Sequence, residues 1–311
     1  MPEPILQVED LRINYYTKSK LIEAVQGVRF TIYKNEVFGL VGESGCGKTT
    51  LAMGILQLVQ APGKIESGRI DFDGTDLLTA SPEKFRSILW NEIAYIPQGA
   101  MSALNPVTRL RHQFLDVIHD HGGAGTKQEQ IDHIHQMLAG VHLSPSVLDM
   151  YPHELSGGMK QRACIALAMV LRPKLIIADE PTSALDVVSQ RVVLETLSKA
   201  RQELGASMIF IGHDMAVQAQ ISHRLGIMYA GNFVEIAPVR EIFENPHHAY
   251  TERLISSIPS IRKKQDVHEI AKVSFSESEK IRFQKPAPLV EISVGHFVAQ
   301  HDRQPDRIED V

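Results

Sequence analysis

The segment GESGCGKTT, residues 42–50, constrains the fold of this chain more than any other part of its sequence. It follows VFGLV, an apolar run typical of a buried strand, and it precedes LAMGILQLV, whose apolar positions recur at helical spacing. A strand, a G-x-x-x-x-G-K-T loop and a helix in this order place backbone N–H groups around an anion at the positive end of the helix. The sequence therefore predicts an α/β fold with a phosphate-binding loop after one strand.

Each residue of this phosphate loop (residues 42–49) has a predicted role. The glycines let the backbone turn its N–H groups toward phosphate oxygens. Lys48 is expected to reach the β- and γ-phosphates of a nucleotide, and Thr49 to ligate Mg²⁺. The predicted nucleotide-binding residues of this segment are Gly42, Glu43, Ser44, Gly45, Cys46, Gly47, Lys48, Thr49 and Thr50. The alternative is a glycine-rich turn that contains a lysine by chance, and the flanking strand and helix disfavour it.

A second apolar run, LIIAD, ends in a pair of acidic residues, Asp179 and Glu180. In open α/β sheets, ligands bind at the carboxyl ends of the strands, where this pair is expected to lie. Asp179 is predicted to position Mg²⁺, and Glu180 to polarise the attacking water as a general base. The alternative is an acidic N-cap pair for the next helix, which the presence of the phosphate loop disfavours.

The periodicity of the sequence changes along the chain. Short alternating runs up to residue 41, and again in SGRIDFDG and EIAYIPQ, indicate strands. Helical spacing dominates from about residue 104 to residue 172, and residues 175–236 return to strands alternating with helices, which predicts a largely parallel sheet. We therefore predict a main domain over residues 1–259, with a helical subdomain at about 104–172. Residues 260–311 are predicted to form a small C-terminal appendage with one or two late strands.

The segment LSGGMKQR, residues 155–162, resembles the signature motif of ABC ATPases, and it precedes the acidic pair by the spacing of that family. Further matches lie in the family's order along roughly residues 5–240. Tyr15 stands where the family places an aromatic ring that stacks on adenine, and Tyr16 is the alternative for that role. The other matches are Gln98 in YIPQ, SALD at residues 183–186 and His213 in IFIGHD. The resemblance implies a P-loop ATPase with a mostly parallel core sheet, an antiparallel β-subdomain and an inserted helical subdomain.

In ABC ATPases two such domains pair head to tail, and each ATP lies between the phosphate loop of one and the signature of the other. Ser156, Gly157 and Gly158 open a helix and form a second anion-binding site. The resemblance implies that Ser156 and Gly158 contact the γ-phosphate across the dimer, and that Asp186 is a further nucleotide-binding residue of this interface.

The resemblance also assigns residues on the ATP's own domain. His213 contacts the γ-phosphate there and, with Lys48 and Glu180, forms the predicted catalytic set. Gln98 is a predicted nucleotide-binding residue and Mg²⁺ ligand that links the site to transmembrane subunits.

Other segments narrow the resemblance to the ATPases of dipeptide and oligopeptide importers, the peptide/nickel group. They are QGAMSALNPV after Gln98, NPHHAYTERLISSIP at residues 245–259, and LVEISVGHFVA near the end. The implied partners are two transmembrane permease subunits, a second ATPase that is a related chain rather than a second copy, and, indirectly, an extracytoplasmic substrate-binding protein. The chain is then expected to lie peripherally on the cytoplasmic face of the inner membrane. Importers of this group carry peptides, nickel or oligosaccharides, and peptides are the first expectation.

Composition limits the alternatives. The second interpretation is a soluble ABC ATPase that acts on nucleic acid or ribosomes. A formal net charge of -5 disfavours a nucleic-acid binder, and the lack of a second ATPase domain also disfavours this interpretation. The first ten residues lack the features of a secretory signal, and no apolar run is long enough to span a bilayer. A non-catalytic regulatory subunit is disfavoured because the predicted catalytic residues are all present.

Cysteine and histidine usage argues against a structural metal centre. The chain has two cysteines, Cys46 and Cys164, and no cysteine in the C-terminal region where many relatives carry a cluster. We therefore predict no iron–sulfur cluster. Among the 14 histidines, the pairs His119/His121 and His133/His135 lack the i, i+4 spacing that places two metal ligands on one helix face.

Overall fold

The computed structural model describes residues 2–123, 125–183, 185–257, 281 and 283–300. Ala184 of the SALD segment and the predicted domain boundary at residue 259 lie outside the described residues.

Strands and helices alternate over the described ranges. The strands are β1 (Pro4–Tyr16), β2 (Leu21–Tyr33), β3 (Val37–Val41), β4 (Gly63–Phe72), β5 (Thr75–Asp76), β6 (Ile93–Ile96), β7 (Leu175–Asp179), β8 (Ser207–Gly212), β9 (Arg224–Tyr229), β10 (Asn232–Pro238), β11 (Leu289–Ser293) and β12 (His296–Ala299). The helices are α1 (Lys48–Ile55), α2 (Pro82–Ile88), α3 (Leu110–Asp120), α4 (Lys127–Gly140), α5 (Gly157–Met169), α6 (Val187–Leu204), α7 (Met215–Ile221), α8 (Val239–Glu244) and α9 (Ala249–Ser256).

The larger sheet has the strand order β11-β12-β10-β9-β3-β8-β7-β6. Strands β9, β3, β8, β7 and β6 are parallel to one another, whereas β10, β12 and β11 add beside β9 in antiparallel pairs. Strands β3 and β7 are buried along their whole length, as expected for a parallel sheet covered on both faces. The predicted mostly parallel core sheet is confirmed.

The register of the parallel strands brings their carboxyl ends together. Val41 pairs with Gly212, Asp179 pairs with Ile211, and Ile96 pairs with Ala178. The residues that follow these strands therefore meet at one edge of the sheet. This edge receives the phosphate loop, the acidic pair and the segments that carry Gln98 and His213.

A smaller antiparallel sheet, in the order β2-β1-β4-β5, covers the first helix. Side chains of β1 and β2 share an apolar core with α1 and with strands of the larger sheet. The approach is close: a Cβ on Gly54 of α1 would lie 2.3 Å from Cδ1 of Ile13. The helix after the phosphate loop is therefore held between the two sheets, and the predicted antiparallel β-subdomain is confirmed.

Helices α3, α4 and α5 form the inserted helical region, which packs through a common apolar core against α6 and the larger sheet. Helix α4 begins at a capping box in which Thr126 and Glu129 satisfy each other's backbone N–H groups. Two of the histidines considered above bond within this region: His119 Nε2 lies 3.1 Å from Oε1 of Gln130, and His133 Nε2 lies 2.6 Å from the carbonyl of Val170. Their side chains serve packing between helices.

The two late strands β11 and β12 form a hairpin that extends the larger sheet through β10. Beneath it, the carboxylate of Glu235 is fully buried and accepts from His296 Nε2 at 2.7 Å. The C-terminal hairpin is thus attached to the core sheet by backbone pairing and by a buried polar contact. None of the described helices combines the length and apolar character that a membrane span requires.

Candidate nucleotide site

The phosphate loop runs directly from β3 into α1, and its glycines occupy conformations that other residues disfavour. Gly45 and Gly47 have φ values of 83° and 107°. A Cβ on Gly47 would lie 2.3 Å from the carbonyl oxygen of Ala24 on β2, whereas a Cβ on Gly45 meets nothing within 4 Å. Gly47 is therefore required for packing, while Gly45 borders open space. Of the remaining loop positions, Glu43, Ser44 and Thr49 are exposed, Gly42 and Cys46 are buried and Thr50 is half-buried.

Lys48 is buried, and its ammonium group lies inside the loop. Lys48 Nζ donates to the carbonyl oxygens of Gly42 (2.7 Å) and Glu43 (2.9 Å), and it lies 3.6 Å from Sγ of Cys46. Burial raises the pKa of the Cys46 thiol, despite the opposing charge of Lys48, so the thiol is neutral. The loop thus holds a positive charge at the first turn of α1, where the helix dipole also favours an anion.

Asp179, the last residue of β7, is fully buried beside this lysine. The hydroxyl of Tyr95 donates to its Oδ2 at 3.4 Å, and within the described part of the chain its Oδ1 has no hydrogen-bond partner. Burial raises the pKa of Asp179, the hydroxyl of Thr49 opposes this effect, and the charge of Glu180 adds to it. A buried carboxylate oxygen without a donor is costly, and a bound cation is one way to satisfy it.

Glu180 follows Asp179 in a left-handed conformation, with φ at 45°. Its two carboxylate oxygens are held from opposite sides: Gln98 Nε2 donates to Oε2 at 3.0 Å, and His213 Nδ1 lies 3.2 Å from Oε1. Gln98 follows β6 and His213 follows β8, the two strands that flank β7. The structure thus brings these three predicted residues together at one carboxylate, which is adjacent to the phosphate loop.

The signature segment lies at the start of α5. Ser156 is the N-cap residue, and its Oγ accepts from the N–H of Met159 at 3.4 Å. Gly157 and Gly158 form the first turn, and a Cβ on Gly158 would lie 3.7 Å from Oγ of Ser189 on α6.

The start of α6 lies beside this turn. Asp186 caps α6, with its Oδ1 accepting from the N–H groups of Val188 and Ser189. Two helix N-termini are therefore exposed side by side. Among the described residues, the side chains of Ser156 and Asp186 form hydrogen bonds only within their own helix starts. None of these bonds reaches the phosphate loop.

Tyr15 and Tyr16 lie on opposite sides of β1. The hydroxyl of Tyr16 donates to Oε1 of Glu66 at 2.8 Å, and its ring is 53% exposed. Tyr15 pairs with Gly63, and a Cβ on that glycine would lie 2.6 Å from Cε1 of the Tyr15 ring. Tyr15 therefore packs over a glycine with one ring face supported by backbone, and its assignment to adenine stays a prediction.

Sequence reasoning missed two tyrosines that contact the site. Tyr95 lies in the YIPQ segment but received no role, although its position in a strand next to β7 points to a contact with Asp179. Tyr250 lies in the C-terminal segment, 207 residues from Glu43, and its hydroxyl accepts from the Glu43 N–H at 3.2 Å. No sequence signal indicates this second contact.

His247 and His248, in the C-terminal segment, have structural contacts. Their backbone N–H groups donate to the carboxylate of Glu235 at 2.9 and 3.1 Å. Within the described ranges, no group of three or more His, Cys, Asp and Glu side chains is arranged to hold a metal ion.

Comparison with known proteins agrees with this geometry. A sequence profile of the ABC transporter family matches residues 25–183, and a profile of the oligopeptide/dipeptide transporter C-terminal region matches residues 234–282. The dipeptide transport ATP-binding protein DppD of Caldanaerobacter subterraneus is 42% identical, over 83% of this chain and 79% of that protein. The oligopeptide transport ATP-binding protein OppD of Bacillus subtilis is 34% identical, over 97% of this chain and 90% of that protein.

Solved structures share the fold. A dimeric bacterial ABC transporter cassette matches with a TM-score of 0.67 and 25% identity, over 76% of this chain and 99% of the cassette. The cbiO1 protein of Clostridium perfringens, part of the ABC transporter complex cbiONQ, matches with a TM-score of 0.65 and 25% identity, over 78% of this chain and 92% of that one. The chain belongs to the ABC transporter family, among the ATP-binding proteins related to those of dipeptide and oligopeptide transporters.

Proposed function

We propose that this chain binds ATP at the phosphate loop and hydrolyses it to drive peptide uptake through separate membrane subunits. The observation that carries the proposal is the position of Glu180. Its carboxylate follows Asp179 at the sheet edge that receives the phosphate loop, and residues that follow both neighbouring strands hold its two oxygens. A carboxylate fixed in this way is suited to orient and deprotonate a water that attacks the terminal phosphate.

The residues present fit a bound Mg²⁺. Hard cations prefer oxygen ligands, and the buried Oδ1 of Asp179 has no donor among the described residues, while the hydroxyl of Thr49 is close enough to lower the pKa of Asp179. Asp179 and Thr49 would hold the ion, and Gln98 is a proposed third ligand once its amide turns from Glu180. The ion would neutralise charge that develops on the phosphate oxygens.

The protein groups have separate proposed tasks. Lys48 keeps its contact with the Gly42 carbonyl and turns its other N–H groups to the β- and γ-phosphates, because an ammonium group gains more from charged acceptors than from neutral ones. Glu180 takes the proton of the attacking water. His213, which now contacts Glu180, turns to the γ-phosphate. Tyr15 supports the adenine ring.

We further propose that the site is completed by a second ATPase domain. Ser156, Gly157, Gly158 and Asp186 present two exposed helix N-termini, which attract anions. Beside them, Val187 is 82% exposed and Val188 is 75% exposed, so an apolar surface accompanies the anion site. Both features are explained if an ATP held by a partner ATPase domain binds here. That partner domain is proposed to be a related chain rather than a second copy.

The importer class rests on the relatives and on the C-terminal region. The named relatives are dipeptide and oligopeptide transport ATP-binding proteins, and the C-terminal profile is that of the same transporters. Val107, in the segment after Gln98, is 80% exposed, which suits a surface that meets a permease. We propose two permease subunits as partners, a peripheral position on the cytoplasmic face of the inner membrane, and peptides as cargo. The comparisons do not favour an action on nucleic acid or ribosomes.

Glu180→Gln tests the proposal. The amide keeps the shape of the side chain but cannot act as a base, so hydrolysis is expected to fall by about 10²-fold to 10⁴-fold while ATP binding persists. Glu195→Gln is the control, because this exposed glutamate on α6 pairs only with Arg191 among the described residues. Phosphate release and equilibrium ATP binding are measured on both variants, and near-normal turnover of Glu180→Gln would refute the assigned base.

The same variant tests the partners. Tagged Glu180→Gln protein is purified from its native membrane in mild detergent with MgATP, and the associated proteins are identified by mass spectrometry. Two integral membrane proteins and a second, related ATPase are expected. Recovery with ribosomes or nucleic acid, or without any partner, would contradict the importer assignment and leave the ATPase site in place.

A further inference from the structure

The phosphate loop begins with the peptide unit between Gly42 and Glu43, whose C=O and N–H groups are both hydrogen-bonded to side chains. The carbonyl oxygen of Gly42 accepts from Lys48 Nζ at 2.7 Å, and the N–H of Glu43, on the same peptide unit, donates to the hydroxyl of Tyr250 at 3.2 Å. In a trans peptide the C=O and N–H groups point in opposite directions. The bond to Tyr250 therefore favours the one orientation of this peptide in which its carbonyl faces Lys48.

Tyr250 is well placed to fix this orientation because it is itself immobilised. Its side chain is 1% exposed, and its ring centroid lies 4.7 Å from that of Tyr229 on β9. Its backbone N–H donates to Nδ1 of His248, the N-cap of α9, at 3.1 Å. Burial raises the pKa of Tyr250, so its hydroxyl is neutral and can accept from an N–H group.

The support of Tyr250 continues into the C-terminal region. The N–H groups of His247 and His248 donate to the buried carboxylate of Glu235, which also contacts His296 of the C-terminal hairpin. The ring of Phe283 lies 4.7 Å from that of His248. The C-terminal region thus reaches the phosphate loop through a continuous series of buried contacts that ends at one hydroxyl group.

We propose that Tyr250 is a positioning residue of the nucleotide site, which sets the peptide between Gly42 and Glu43 so that Lys48 is held for the β- and γ-phosphates. The inference rests on the proposed ATPase function and deepens it. Tyr250 acts on phosphate binding through the loop, since the loop pays less ordering entropy when its first peptide is already oriented. Its effect belongs to binding rather than to the chemical step.

Tyr250→Phe removes the hydroxyl and keeps the ring. The dissociation constants of ADP and MgATP, measured by titration calorimetry on the full chain, are expected to rise by about 2-fold to 12-fold, the range for one lost hydrogen bond. KM for ATP should rise by the same factor, while kcat stays within about twofold, because Glu180 is untouched. Tyr229→Phe is the control: it removes a hydroxyl from the same pair of contacting rings, which are tilted at 56° to each other, and leaves the Glu43 contact in place.

The outcomes separate the two proposals. If the unaltered protein fails to bind ADP, the ATPase function is wrong and this inference fails with it. If it binds ADP and Tyr250→Phe binds with the same dissociation constant but lower stoichiometry, Tyr250 is merely structural and the inference alone is overturned. An equal effect of Tyr229→Phe would also overturn it.

A second measurement covers the case in which Tyr250→Phe does not fold. A single 3-fluorotyrosine at position 250 keeps the hydroxyl, and its ¹⁹F resonance is expected to shift when ADP binds to the loop. A resonance that does not move at saturating ADP would show that the hydroxyl is not coupled to the phosphate site, and would overturn the inference.

Discussion

Replacing Asp179 by asparagine tests whether this site carries instability that only a bound cation relieves. Asp179 is fully buried, and its Oδ1 lacks a hydrogen-bond partner in the described part of the structure. Burial, and secondarily the neighbouring charge of Glu180, raise the pKa of Asp179 against the lowering effect of Thr49. An asparagine has nearly the same shape and no charge, so it should be better tolerated in the empty site than the native residue.

The expected magnitude follows from the cost of a buried, unsatisfied charged group. That cost is about 1–3 kcal/mol or more, and the amide of asparagine also lacks some partners, so a net gain of about 1–2 kcal/mol in unfolding free energy is expected at neutral pH. For a chain of 311 residues, with an unfolding entropy of about 2.1 cal/mol/K per residue, each kcal/mol raises Tm by about 1.5 °C. Asp179→Asn should therefore melt about 1.5–3 °C above the native protein in the absence of nucleotide and magnesium.

The sign of the pH dependence is a further part of this prediction. Because the folded-state pKa of Asp179 is raised, the penalty is complete at pH values above that pKa. It fades as the pH falls through the folded pKa toward the unfolded value. The difference in Tm between the two proteins should therefore shrink on acidification.

Calorimetry or circular dichroism of the full chain at several pH values measures this effect. Tyr95→Phe is the control, because it keeps the charge of Asp179 and removes the hydrogen bond to its Oδ2, so it should lower Tm. Addition of MgATP should stabilise the native protein and leave Asp179→Asn nearly unchanged. A lower Tm for Asp179→Asn at neutral pH would refute the reasoning, since it would mean that the charge is already satisfied without a cation.

Two further predictions use matched pairs of substitutions. Gly47→Ala places a Cβ 2.3 Å from a backbone oxygen and should destabilise the protein by more than about 2 kcal/mol. Gly45→Ala has open space around the new Cβ, so it should cost only the ~1 kcal/mol of a positive φ. Chemical denaturation measures both unfolding free energies, and equal costs would contradict the argument. Ser156→Ala and Ser81→Ala each remove an N-cap acceptor and should each cost about 1 kcal/mol of folding free energy, but only Ser156→Ala should weaken the MgATP-dependent association with the second, related ATPase, as measured by co-purification of the two chains. Equal association of the two serine variants with that ATPase would count against a role of Ser156 across the dimer.

Local patterns predicted the elements of this fold well where capping residues marked their ends. Within the region predicted as strands alternating with helices, residues 175–236, the segment VVSQRVVLETLSKARQEL forms α6, because Asp186 caps its start and Gly205 ends it in a left-handed conformation. The strands that carry the phosphate loop and the acidic pair were equally clear, since a fully buried parallel strand is a continuous apolar run. Such signals are local, and they carry no information on which strands pair.

The contacts that were not predicted join distant parts of the chain. The late strands were expected in a small appendage, and the structure shows that β12 pairs with β10 of the core sheet. The contact between Tyr250 and Glu43 depends on the whole arrangement of the sheet and α9. Since neither residue is unusual in its local segment, only the folded structure reveals the contact.

In the site, too, the sequence identified the functional residues but not the contacts between them. The apolar strand before the acidic pair predicted Glu180 as a functional residue, and the resemblance to ABC ATPases predicted Gln98 and His213, each with its own role. It did not predict that Gln98 and His213 hold the two oxygens of the Glu180 carboxylate, which follows from the strand order β8-β7-β6. A sequence can identify residues of a known motif, but it does not show which of them are bonded to each other before the substrate arrives.

The contact between Gln98 and Glu180 bears on how ATP hydrolysis would be coupled to the permease. While Gln98 donates to Oε2 of Glu180, the amide competes with an attacking water for that oxygen. Gln98 begins the segment proposed to meet the permease, so a movement of that segment would release Oε2 while the contact with His213 keeps Oε1 in place. The base would then become available only when the permease has moved Gln98. Tight control of hydrolysis by the proposed membrane partner would require no movement of Glu180 itself, because Gln98, which restrains it, belongs to the segment proposed to contact that partner.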